Sequence, residues 1–64
     1  MNITKAIIDK LASRRGARTA IVISFLNNMP DNKEETIKKF DNMHQYNLST
    51  MNAIRDGIRM RFDE

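Results

Sequence analysis

Residues 17–28 read Ala-Arg-Thr-Ala-Ile-Val-Ile-Ser-Phe-Leu-Asn-Asn. From Ala20 to Leu26 the run is apolar apart from Ser24, and it is rich in β-branched side chains. A strand suits such a run, and so does a helix buried on most sides; periodicity alone does not separate them. Length and backbone chemistry favour the helix. The apolar-rich stretch extends over about 12 residues, more than most strands need. A lone strand among helices would also leave its N–H and C=O groups unpaired unless a second chain supplied the ladder. The segment is therefore predicted to be helical, with Asn27, Asn28 and Pro30 ending it.

The flanking segments read more simply. Upstream, Ile3, Ile7, Ile8 and Leu11 recur at helical spacing, which predicts a helix over 2–14. Asn2 is its expected cap, and Gly16 its stop, because glycine accepts the left-handed conformation past a helix end. Downstream, Asp31 with Glu34 has the spacing of a capping box. The helix it opens would bury Ile37, Phe40 and Met43 or His44. A last helix begins at Asn47 or Ser49. Its buried stripe is Met51, Ile54, Ile58 and Phe62, flanked by Arg55 and Arg59. Gly57 interrupts this helix at about 1 kcal/mol relative to alanine, which either permits close approach of another backbone or is simply tolerated. Met60 falls off the stripe and suits a contact surface.

The expected fold is thus all-α, with three to four short helices in a compact bundle forming one domain over 1–64. Sixty-four residues bury a small core. The segments offer many large apolar side chains for that length, and segment 17–28 is apolar nearly all round. Self-association, as a dimer or higher oligomer, is the expectation that follows.

Composition narrows the chemistry. There are no cysteines, which excludes disulfides, thiolate metal sites and a cysteine nucleophile. The single histidine, His44, has no second histidine or cysteine to share a metal with. Combining it with Asp41 or Ser49 as a nucleophile–base set would need geometry that spacing does not supply. The only glycines are Gly16 and Gly57, so no phosphate loop exists. We expect no enzyme, no cofactor and no metal. No stretch is long enough to span a bilayer, and Asp9 and Lys10 interrupt any signal-type apolar region. A cytoplasmic location, with no membrane partner, is the corresponding expectation.

The formal net charge is +3, unevenly spread. Residues 1–18 carry Lys5, Lys10, Arg14, Arg15 and Arg18 against Asp9 alone, a net of +4. The remaining residues carry six basic and seven acidic side chains, a net of −1. A concentrated basic segment attracts acidic protein surfaces or nucleic acid. Arg14, Arg15 and Arg18, with Arg55 and Arg59 on the last helix, are the candidate partner or phosphate contacts.

From Thr19 onward the chain resembles a ribbon-helix-helix repressor. Thr19–Phe25 would be the strand, Pro30 the turn, and Asn47-Leu48-Ser49-Thr50 the connection between two helices. The resemblance implies pairing of two chains through their strands and insertion into the DNA major groove. Ala20, Val22 and Ser24 would face the bases. Two functions therefore stand side by side. The first is a small non-enzymatic regulatory adaptor or inhibitor that binds another protein through its helices. The alternative is a basic DNA-binding transcriptional regulator of ribbon-helix-helix or helix-turn-helix type.

Overall fold

The computed structural model describes residues 3–63. Four helices follow one another: α1 (Lys5–Ala12), α2 (Thr19–Asn27), α3 (Lys33–Asn42) and α4 (Leu48–Phe62). No strand occurs among the described residues. Segment 17–28 is the helix α2, so its backbone groups are satisfied within the chain and the paired-strand alternative falls. Val22, Phe25 and Leu26 face inward, Ile21 and Ile23 are half-buried, and Ala20 and Ser24 face solvent. Among the described residues, no helix is long and apolar enough to cross a membrane.

Helices α1, α2 and α4 pack against one another around a single core. Ile8, Leu11 and Ala12 come from α1, Val22, Phe25 and Leu26 from α2, and Ala53, Ile54 and Ile58 from α4. Met29, in the α2–α3 connection, closes one end. Gly57 of α4 lies against the Leu26 side chain of α2. A Cβ there would stand 2.5 Å from Leu26 Cδ2, which explains the glycine as a packing requirement.

Helix α3 is held differently. Its backbone approaches only α4, and Thr36 is its one buried residue. Phe40 meets the Phe25 ring edge-on, with centroids 6.2 Å apart. Lys39 Nζ donates to the Asn28 carbonyl at 3.2 Å. Two exposed ion pairs, Lys33–Asp63 and Asp31–Arg61, tie the start of α3 to the end of α4.

The helix ends differ from the sequence expectation by small, explicable steps. Thr4 caps α1, its Oγ1 accepting from Ile7 N at 3.2 Å; Asn2 lies outside the described residues. Helix α1 stops at Ala12, two residues before Arg14. Gly16 does take a positive φ of 85°, but at the third position of a turn closed by Ala17 N donating to the Arg14 carbonyl. Asn32, not Asp31, caps α3 by accepting from Glu35 N at 2.8 Å, leaving the Asp31 carboxylate to Arg61. In α3, Thr36 takes the buried position and Ile37 is 37% exposed; the Thr36 hydroxyl is satisfied there by the Asn32 carbonyl at 2.9 Å. His44 lies beyond α3, exposed, against the Tyr46 ring.

The connection 13–18 is fastened to the start of α4 by side chains. Asn47 caps α4 through Thr50 N and also donates from Nδ2 to the Gly16 carbonyl at 2.6 Å. Ser49 Oγ donates to the Arg15 carbonyl at 2.7 Å. Thr50 Oγ1, wholly buried, accepts from Arg18 N at 2.8 Å and donates to the Asn47 side chain. Thr50→Val keeps the shape and removes both bonds, leaving the Arg18 N–H without its acceptor. We expect a loss of about 1–3 kcal/mol, read as a lower urea midpoint at unchanged slope. Ser49→Ala should cost much less, since water reaches the Arg15 carbonyl once the hydroxyl is gone; equal losses in the two variants would contradict this account.

Candidate functional site

The five arginines singled out in the sequence divide by what they engage. Arg14 and Arg59 are brought together through Asp56, which lies between α1 and the outer face of α4. Arg14 Nη1 donates to Asp56 Oδ2 at 2.7 Å, and Arg59 Nη1 stands 3.9 Å from Asp56 Oδ1. Arg55 occupies the same exposed side of α4, over the Phe40 ring at 5.6 Å and donating to Asn52 Oδ1 at 2.8 Å. Arg15 and Arg18 share the 13–18 connection with Arg14 but have no bond to Asp56. Arg18 stands over the Tyr46 ring at 5.9 Å, while the Arg15 carbonyl serves Ser49. Four of the five have intramolecular partners for their guanidinium groups: Asp56 for Arg14 and Arg59, Asn52 and the Phe40 ring for Arg55, and the Tyr46 ring for Arg18.

Beside the Arg14–Asp56 pair runs a groove of about 530 Å³ between α1 and the end of α4. Its apolar lining, or floor, comes from Ile7 and Met60 over the buried Leu11, and its charged lining from Lys10 and Arg14. The spacing of Ile7, Lys10, Leu11 and Arg14 explains this. Residues three, four and seven apart share one face of a helix and its extension. That face is apolar at its centre and cationic toward its C-terminal end. Met60 completes the floor from α4. It is 37% exposed, where its distance from the Met51–Ile58 stripe puts it. Sequence reasoning singled out Met60 and Arg14 and placed Leu11 in the core, where it lies, but it counted the half-buried Ile7 among the core residues and passed over Lys10 as a lining residue.

A second depression of about 460 Å³ lies between α3 and α4. Ile37, Phe40 and Ile58 line its base, but both charge signs crowd its walls: Arg55 and Arg59 face Asp41, and the Lys33–Asp63 pair closes one end. These groups largely compensate one another, which makes it a poorer receptor than the α1–α4 groove. Leu48, 74% exposed at the start of α4, belongs to neither depression.

Among the described residues, no three His, Asp or Glu side chains gather as metal ligands would. His44 pairs with Tyr46, and Ser49 is engaged with the Arg15 carbonyl, so the sequence-level nucleophile–base combination is not assembled. Comparison with protein-family models, with curated proteins and with solved structures gives no match.

Proposed function

We propose that this chain is a small non-enzymatic regulatory adaptor that binds another protein through the α1–α4 groove. The observation that carries this reading is the groove's floor. Ile7 and Met60 present apolar surface in a concave setting, with the buried Leu11 beneath them. Apolar surface in a groove with charged groups beside it is the ordinary receptor for an amphipathic helix, and methionine adapts its shape to what it meets. The DNA-binding alternative is less well supported. Its strand-based form would need a strand where α2 stands, and four of the five arginines that would grip phosphates already engage partners within the chain. Self-association enters as a further proposal with a smaller motive than composition gave it, since one chain covers most of α2. The large apolar side chains left exposed, Ile37, Leu48 and Met60, sit on separate parts of the surface.

The test is differential capture from nuclease-treated and untreated host lysate. Met60→Asp places a carboxylate on the apolar floor and should weaken capture at least about tenfold, because docking would bury a charge with no partner of fixed geometry. Leu48→Asp, outside the groove, serves as the control and should capture normally. A protein lost from the Met60→Asp beads but held by wild type and Leu48→Asp, with or without nuclease, supports the proposal. Capture that disappears on nuclease treatment and ignores Met60→Asp refutes it in favour of nucleic acid.

A further inference from the structure

We infer that the occupant of the α1–α4 groove is an acidic amphipathic helix, and that Asp56 is the internal competitor its carboxylate displaces from Arg14. This rests on the groove being a protein-docking site and adds the chemistry of what docks. The lining side chains include two cations, Lys10 and Arg14, and no acid. A helix that lays apolar side chains on Ile7 and Met60 brings its flanks near Lys10 and Arg14, which line the same groove. Carboxylates on those flanks are attracted, whereas lysines or arginines there meet like charge. A phosphate backbone could reach these cations, but it offers nothing apolar to the floor.

Asp56 supplies the second part of the argument. Its carboxylate holds Arg14 at 2.7 Å and reaches toward Arg59 at 3.9 Å, so one acid serves two guanidinium groups. The Arg14 and Asp56 side chains are 40% and 33% exposed, which leaves the pair open to exchange. An arriving carboxylate can take Arg14, and Asp56 then keeps Arg59 on the same helix, three residues away. The displaced acid is therefore not stranded. This exchange moderates the affinity for an acidic partner and makes it dependent on salt.

The probe is a peptide of about 15 residues, long enough to become helical on docking, with leucines along one face and glutamates flanking them. Its twin carries lysines at the glutamate positions. Full-length protein labelled at the methionine methyls reports binding through Met60, whose signal is assigned by its loss in Met60→Leu. The glutamate peptide should shift the Met60 methyl and the lysine twin should not. Asp56→Asn should tighten binding of the glutamate peptide about two- to fivefold, the range expected for releasing an exposed ion pair. Circular dichroism of Asp56→Asn confirms that it stays folded.

Equal shifts with both peptides overturn the acidic assignment while leaving the groove as a docking site. An unchanged affinity in Asp56→Asn overturns the competition. If neither peptide moves the Met60 methyl, the inference and the docking site fall together. If the Met60 signal moves with protein concentration alone, a second copy of the chain is the occupant, and the acidic partner is wrong.

Discussion

Replacing Ile54 with alanine is expected to bring the protein to the edge of unfolding at room temperature. Ile54 is 0% exposed and sits in the core where α1, α2 and α4 meet. Truncating a large aliphatic side chain in such a place costs about 2–5 kcal/mol, part from lost transfer energy and part from the cavity. A chain of 64 residues has about 3–10 kcal/mol of total stability, at about 0.05–0.15 kcal/mol per residue. The loss is therefore comparable with the whole. Thermal and urea unfolding of Ile54→Ala should show a severely lowered midpoint or no cooperative transition. Ile54→Val, which keeps most of the volume, should lose only about 0.5–1.5 kcal/mol. An Ile54→Ala protein that melts close to wild type would mean that the three-helix core is not where stability resides.

The second large effect concerns Gly57, where two contributions oppose each other. Alanine in a helix interior is favoured over glycine by about 1 kcal/mol. Against this, the added Cβ would stand 2.5 Å and 2.8 Å from the two Leu26 methyls and 3.2 Å from Leu26 Cγ. Leu26 is 2% exposed, so its methyls have little room to retreat. Overpacking of this kind costs about 1–3 kcal/mol, and we expect it to prevail, making Gly57→Ala a net loss of up to about 2 kcal/mol. A double-mutant cycle separates the two contributions. In a Leu26→Ala background the clash is absent, so Gly57→Ala should change sign and stabilise by about 1 kcal/mol. A stabilising Gly57→Ala in the wild-type background would show that α2 can yield without penalty.

How much of this was legible beforehand follows from which interactions are local. The 3.6-residue spacing of apolar side chains revealed the helices on either side of segment 17–28, because such spacing gathers apolar groups on one face. The helical state of 17–28 could be argued from backbone satisfaction without knowing its neighbours. Choices between adjacent equivalents were not legible. Asp31 and Asn32 are both competent caps, and the tertiary pairing of Asp31 with Arg61 accompanies capping by Asn32. In α3 the pattern named Ile37 as buried, while Thr36 takes the buried position, its hydroxyl satisfied by the Asn32 carbonyl. Gly57 stayed ambiguous until Leu26 was seen against it.

The candidate site shows the same division. Met60 was visible as an outlier from its stripe, and Arg14 as part of a charge cluster. That they share a groove with Ile7, Lys10 and Leu11 depends on how α1 crosses α4. No single helix's sequence carries that crossing. The division of Arg15 and Arg18 from Arg55 and Arg59 is likewise tertiary, set by the bonds from Asn47, Ser49 and Thr50 to the 13–18 connection.

The attachment of α3 through one buried residue leads us to expect cooperativity in two tiers, checkable by amide exchange faster in α3 than in α1, α2 and α4. Lifting α3 from the body breaks the Thr36 and Phe40 contacts, two exposed ion pairs and the Lys39 bond, and leaves the packing of α1, α2 and α4 intact. Such sub-global openings lie far below the global unfolding free energy and recur constantly in native proteins. What an opening of this kind uncovers is Phe25 and Ile58, on the α3 flank of the core. The α1–α4 groove keeps its walls throughout, because both of its helices belong to the tier that opens only when the whole chain does.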